Sequence, residues 1–281
     1  MADELKLAAE FPAAIREDWL KLVRATLKDK PYEKLIGRTY DDLPIEPLSA
    51  RAKGANAIAG RAVGQGWTVM QRVDHPDPAA ANAEALHDLE HGANGLTLVC
   101  AGSVSAYGFG IDGSPETLDR VLAGVQLDAG VTIDFNVGVD TRDTVKHFAA
   151  LVQKRGLRPA AVDMRGSLNP IGGMAASGRS ARPWAELAPY FAGLVGELSG
   201  QGFRGPFAVG DGRIVHNAGG SEAQELAFAL SVAVAYLRML EAGGIALDRA
   251  SRAIAFRLVT FYLPPIWGSL AMRWLRRHEY V

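Results

Sequence analysis

His216 is the side chain best placed to move a proton in this 281-residue chain. It follows a short apolar run, Phe207-Ala208-Val209, and precedes a long helical pattern that opens at Ser221. An imidazole at such a junction trades protons near neutral pH, and Asp211 just upstream supplies a carboxylate for an acid–base pair. Asn217, Gly219 and Gly220 bring backbone N–H groups that favour an anion at a helix start. A loop histidine that only hydrogen-bonds locally fits the same position, so both readings stand. A second cluster, His87-Asp88-Leu89-Glu90-His91, matches the H-x-x-E-H spacing of inverted zinc peptidases. It lacks a third ligand and runs straight into Gly92, so a solvated helix end is expected there and no metal. A third stretch, Arg165 to Ser180, is a Gly/Ser-rich loop whose Arg165 and Arg179, with Arg182 beyond it, could pair with a phosphate. It has neither the spacing nor the lysine of a Walker loop, which argues against nucleotide hydrolysis. Tyr107 sits in a similar small-residue loop. Asp134, Asp163 and Asp211 fall in or after strand candidates, where they either line one face or serve as structural acceptors.

The elements that must position these groups alternate. Strand candidates are Trp67–Val73, Gly95–Cys100, Val131–Val137, Ala160–Met164 and Phe207–Val209. Helix patterns fall between them: Pro78–His91, Pro115–Val125, Thr141–Arg155 and Pro183–Leu198. The last helix, from Ser221 to Gly243-Gly244, opens with the capping box Ser221-x-x-Gln224. Ala253–Tyr262 reads equally as strand or helix, and Pro264-Pro265 break whatever follows. Strand–helix alternation implies right-handed crossovers and a parallel sheet. No G-x-G-x-x-G follows the first strand, which disfavours a dinucleotide-binding sheet. The expected fold class is therefore α/β, a (β/α)8 TIM-type barrel, with a flavodoxin-like open sheet as the alternative. Residues 1–50 read as an arm, with an amphipathic helix over Phe11–Leu27 and a Pro-punctuated extended segment. Residues 51–66 read as a Gly/Ala-rich linker and 67–281 as the barrel, incomplete at its C-terminal end.

Composition narrows the function classes. A net charge of −1 gives no footprint for nucleic acid or an anionic membrane surface. The single cysteine, Cys100, excludes an internal disulfide and suits a reducing compartment. Acidic residues stand where a signal peptide needs basic ones, so a cytoplasmic protein is expected. The apolar run Leu226–Leu240 is shorter than the roughly 20 residues that span a bilayer, so it reads as a buried helix. So apolar a helix needs covering on every side, which implies a dimer.

Three segments in unbroken order carry a family resemblance. They are DWLKLVRATLKDKPYEKLIGRTYDDLPIEPL, WTVMQRVDHPDPAAANAEALHDLEHGANGLTLV and HNAGGSEAQELAFALSVAVAYLRMLEAGG. Together they resemble the acyl-CoA mutases, in particular the small, non-catalytic subunit of heterodimeric methylmalonyl-CoA mutase. The resemblance implies a (β/α)8 barrel whose bore holds the coenzyme A chain, an arm wrapping a catalytic mutase subunit, and a separate cobalamin domain. It implies adenosylcobalamin as cofactor for interconverting methylmalonyl-CoA and succinyl-CoA. No D-x-H-x-x-G motif for that cofactor occurs here, so its domain is expected to be absent from this chain.

The departures from the catalytic pattern are informative. Where catalytic subunits carry T-x-R-Q-Y, this chain reads Thr68-Val69-Met70-Gln71-Arg72. At the family's Tyr-His pair it has Arg213 and Ile214, which places His216 two residues late, off the catalytic register. Asp163 stands for a substrate Gln, and no carboxylate-binding Arg is evident before the loop. The expectation is a supporting subunit without catalysis of its own. His216 and Asp211 remain the candidates for chemistry. Gln71, Arg72, Tyr107, Asp163, Arg165 and Asn217 are the candidates for acyl-CoA contact. The alternative is a cobalamin-independent enzyme or binding module for a CoA ester or small anion, built on the His216 loop.

Overall fold

A computed structural model describes residues 14–28, 30–50, 64, 66–138, 141–180 and 182–259. The chain divides into two compact units, Met1–Gly60 and Arg61–Val281. In the first, helix α1 (Arg16–Leu27) precedes a 3-10 turn and a two-residue antiparallel pair, β1 (Gly37–Arg38) with β2 (Pro44–Ile45). Arg16 donates to the Leu48 carbonyl at 2.7 Å, and Tyr32 donates to Glu46 at 2.7 Å. No described residue of this unit is buried. The expected helix start, residues 11–13, and nearly all of the linker lie outside the described residues.

The second unit holds β3 (Met70–Val73), α2 (Pro78–Glu90), β4 (Gly95–Val99), α3 (Pro115–Val121), β5 (Thr132–Asn136), α4 (Thr144–Lys154), β6 (Asp163–Arg165), α5 (Pro170–Ser177) and α6 (Trp184–Gly200). It continues with β7 (Ala208–Asp211), α7 (Arg213–Asn217), α8 (Glu222–Ala242), α9 (Leu247–Arg252) and β8 (Ile254–Arg257). Strands β3 to β6 form one parallel sheet in sequential order, and β7 pairs β8 in parallel. A parallel bridge between Leu168 and Ala208 joins the two groups. Each strand follows its predecessor with no reversal, unlike a doubly wound sheet, whose order turns back at a switch point. The described residues thus comprise six sequential parallel strands interleaved with helices; a closed barrel is not formed by them.

Side-chain parity separates the two faces of the sheet, because successive strand residues point opposite ways. Leu96, Leu98, Ile133 and Phe135 are fully buried against the helices, where Phe135 meets Phe148 edge-on at 5.2 Å. Each such side chain contributes about 1.5–3 kcal/mol through burial. The intervening residues Thr97, Val99, Asp134 and Asn136 line the opposite face. Helix α8 lies on β7 and β8, with Val232, Ala233, Tyr236 and Leu240 buried. Its approach to β7 is close: a Cβ on Gly210 would stand 2.6 Å from the Ala229 carbonyl oxygen. At 21 residues α8 is longer than its apolar run suggested, and it has the length and composition to cross a bilayer. Leu226, Leu230 and Val234 stay 44–47% exposed on its far side, so the described residues do not cover that stripe.

Two loops expected from the sequence contain helices. Within Arg165–Ser180, the Asn169 side chain accepts from the Gly172 N–H, Pro170 takes the first turn, and Gly178 ends α5 with φ of 65°. After Asp211, α7 closes through bonds such as His216 N–H to the Gly212 carbonyl at 3.2 Å. The expected capping box of α8 is formed in both directions, Gln224 N to Ser221 Oγ at 3.3 Å and Ser221 N to Gln224 Oε1 at 3.0 Å.

Candidate functional site

The non-helical face of the strands encloses a cavity of about 370 Å³. One row of cross-strand neighbours runs through it: Arg72 beside Thr97, Thr97 beside Asp134, and Asp134 beside Arg165. Across the cavity, Asp211 on β7 neighbours Arg257 on β8. The cavity therefore gathers charge. Unpaired, each buried charge would cost several kcal/mol, so pairing is required for the fold.

The pairing is internal. Arg257 donates from Nη2 to Asp134 Oδ2 at 2.6 Å and to Ser167 Oγ at 3.1 Å, and its Nη1 lies 3.8 Å from Asp211 Oδ2. Ser167 Oγ in turn donates to Asp134 Oδ1. Ser167 adopts φ of 42°, a left-handed conformation costly for a residue with a Cβ, and it places the hydroxyl between the two charges. Arg213 grips Asp211 with two nitrogens, Nε at 2.9 Å and Nη2 at 2.6 Å. Burial alone would lower the Arg213 pKa; the bonds to Asp211 outweigh it and raise the value, so the guanidinium stays charged. Arg72 donates to Asp74 at 2.6 Å and to the Ser105 carbonyl at 2.6 Å. Arg165 stands 3.6 Å from Asp163, and its Nε is buried without a hydrogen-bond partner.

Of the expected site residues, Arg72 and Arg165 line the cavity, and Asp211 stands at its edge in contact with the lining Arg213 and Arg257. Gln71 points to the other side of its pleat and is not among the lining residues. Asp163 begins β6 and accepts from Thr132 at 2.5 Å. Tyr107 is 69% exposed and accepts from Asn217 at 3.4 Å, which joins the loop after β4 to α7. His216 Nδ1 lies 3.3 Å from Oε2 of the buried Glu225, whose Oε1 accepts the Val259 N–H at 2.6 Å. His216 is thus paired with Glu225, while Asp211 is held by Arg213 and Arg257. The aspartates expected to share a face do so in two cases: Asp134 and Asp211 meet through Arg257.

Arg257 was not legible as a site residue. Its signal is indirect: carboxylates in the buried strands β5 and β7 demand a cation, and the last polar residue of Ile254-Ala255-Phe256-Arg257 supplies it. Among the described residues, no group of three or more His, Cys, Asp or Glu side chains is placed to hold a metal ion. His87 and His91 stack at 4.0 Å on the last turn of α2.

Comparison with known proteins identifies the lineage. Residues 57–262 match the family model for methylmalonyl-CoA mutase. The methylmalonyl-CoA mutase small subunit of Streptomyces virginiae is 32% identical over 281 aligned residues, covering 91% of this chain and 43% of that protein. The probable small subunit of Mycobacterium tuberculosis is 31% identical over 226 residues, covering 78% of this chain and 34% of that protein. The small subunit of Porphyromonas gingivalis is 26% identical over 287 residues, covering 96% and 44%. The chain thus spans less than half the length of the curated relatives it matches. The family-model match over residues 57–262, with a relative 32% identical over 91% of this chain, shows that the chain belongs to the methylmalonyl-CoA mutase family.

Proposed function

We propose that this chain is the barrel portion of a methylmalonyl-CoA mutase small subunit, one that supports a catalytic partner in the cytoplasm and turns over no substrate itself. A single observation carries the reading: Arg72, Arg213 and Arg257 of the bore are paired with Asp74, Asp211 and Asp134. Catalysis requires donors aimed at charge that develops on the substrate. Guanidinium groups already neutralised by neighbouring carboxylates do not supply that. Six sequential parallel strands support closure into a (β/α)8 barrel.

Mutases of this family generally depend on cobalamin. The residues lining the bore do not fit that group. A corrin with its nucleotide tail exceeds a cavity of about 370 Å³, and among the described residues no histidine lines it. No step of the proposed role passes through the cofactor.

Two features favour a partner. The arm has no buried residue among those described, and it presents Leu22, Tyr40 and Leu43 at 69%, 81% and 62% exposure. The uncovered stripe of α8 adds Leu226, Leu230 and Val234. Both suit docking on a catalytic subunit or a second copy.

Co-purification with a catalytic subunit of this family, followed by an assay of methylmalonyl-CoA isomerisation, tests the reading. The chain alone is expected to give no adenosylcobalamin-dependent turnover, and the assembled pair to be active. In that pair His216→Ala is expected to keep activity within a few fold. A loss of about 100-fold or more, the mark of a general acid–base residue, would place the chemistry in this chain.

A further inference from the structure

We propose that residues 266–277 of this chain form an amphipathic helix that docks beside α8, in the apolar groove that α8 makes with the helical side of β8. The two flanks of α8 differ. On one, α6 packs closely: a Cβ on Gly243 would stand 2.7 Å from the Ala192 Cβ, and the Trp184 and Tyr236 rings lie 6.2 Å apart. Successive helical residues turn by about 100°, which puts Leu226, Leu230 and Val234 on the flank away from Met239 and Gly243. These three remain exposed.

Strand β8 supplies the other wall. Phe256 alternates with Arg257, which reaches Asp134 in the charged cavity, so Phe256 points to the helical side. A Cβ on Gly210 would meet Phe256 Cδ1 at 3.5 Å and the Ala229 carbonyl oxygen of α8 at 2.6 Å, which agrees. Leu258 has the same parity, and its Cδ2 would stand 3.0 Å from a Cβ on Gly212. Phe256 and Leu258 are exposed as well.

Three observations name the occupant. The chain leaves β8 at the groove, where the Val259 N–H donates at 2.6 Å to Glu225 in the first turn of α8. Residues 260–281 lie outside the described residues, and their sequence fits the groove. Trp267, Leu270, Ala271, Trp274 and Leu275 recur at i, i+3, i+4, i+7 and i+8, one apolar helical face, and Ser269, Arg273 and Arg276 fall opposite. Pro264-Pro265 precede that pattern and suit a helix entry. The lengths agree too: Leu226 to Val234 and Trp267 to Leu275 each rise about 12 Å along a helix. Residues 260–266 span at most about 25 Å, enough to turn from the strand end into a helix alongside α8. A helix this short is marginal alone in water, so its apolar face needs a surface to cover. Entering at the first turn of α8, it runs parallel to α8 and sets Ala271 beside Leu230.

Disulfide trapping in the purified full-length chain tests this; it needs no catalytic partner and does not depend on the mutase reading. Leu230→Cys with Ala271→Cys should oxidise to a bridge within one chain, seen as a faster-migrating monomer on a non-reducing gel. Leu230→Cys with Arg276→Cys, on the polar face, should bridge about tenfold more slowly or not at all. A second measurement guards against a misplaced register. The thiol of Leu230→Cys alone should react about tenfold more slowly than that of Glu222→Cys at an exposed position of the same helix. Adding Trp267→Asp and Trp274→Asp should bring the two rates together, while the buried Cys100 stays unlabelled and reports an intact fold. Equal bridging by Ala271→Cys and Arg276→Cys, or a Leu230→Cys thiol as reactive as Glu222→Cys, would overturn the proposal. A bridge formed between chains would do so too, by giving the groove to a second copy.

Discussion

Removing one end of the ion pair that crosses the cavity measures how firmly its charges are committed to each other. Asp134 is 6% exposed; it accepts from Arg257 at 2.6 Å, from Ser167, and from Thr97 at 3.4 Å. Asp134→Ala removes charge-assisted bonds from Arg257 and Ser167, each worth about 1.5–3 kcal/mol, and the longer one from Thr97. It also leaves a largely buried guanidinium, which Asp211 at 3.8 Å partly offsets. The expected loss is about 3 kcal/mol, the low end for breaking a buried pair. Arg257→Ala should cost a similar amount, because Asp134 loses its cation while Asp211 keeps Arg213. The double variant should cost far less than the sum, with a coupling of about 2 kcal/mol. Urea midpoints followed by circular dichroism give all three values. Additivity within about 0.5 kcal/mol would refute the idea of a coupled unit. The same variants, normalised to folded complex, should leave isomerisation by the assembled pair within a few fold. A hundredfold loss for Arg257→Ala alone would mean that this arginine grips substrate.

Two further outcomes follow from groups outside the cavity. Burial pushes the Cys100 thiol up from 9.0 to about 11. The unfolded chain therefore loses this proton first. The thiol's contribution is complete below pH 9 and falls as pH rises toward 11, by up to about 1.4 kcal/mol per unit. In urea titrations the stability gap between the parent chain and Cys100→Ala should shrink over that window, and an unchanged gap would contradict the burial argument. Tyr236, fully buried, donates from Oη to Asn169 at 3.0 Å and accepts from the Ile171 N–H at 3.1 Å. Tyr236→Phe leaves that N–H unsatisfied and should lower stability by about 1–3 kcal/mol, read by the same titration.

The strands and helices of the second unit were legible because their signals are local. Alternation in Val131–Val137, Pro at the starts of α2 and α3, and the Ser221–Gln224 box each act within a few residues. Helix α5 was legible in principle from Asn169-Pro170 and Gly178, a cap, a first-turn proline and a left-handed stop. The glycine-rich composition between them masked it. The charge pairing inside the cavity was not legible. Arg257 meets Asp134 across 123 positions of sequence, and no local pattern encodes such a meeting. Arg72 and Arg165 were among the expected contact residues; Arg213 and Arg257, which line the cavity beside them, were not. His216, singled out by position, lies 3.3 Å from Glu225 in the first turn of α8, a contact that no local pattern announces.

The interlocked charges also constrain how this lineage can change. Replacing Asp134, Asp211, Arg213 or Arg257 singly strands an opposite charge in a confined space, so each route away from the present arrangement passes through a weakened ancestor. Freeing Arg213 or Arg257 from its carboxylates without stranding a charge would take at least two coordinated substitutions. Strong epistasis at these four positions would hold a descendant to the present arrangement long after the original reason for it had gone.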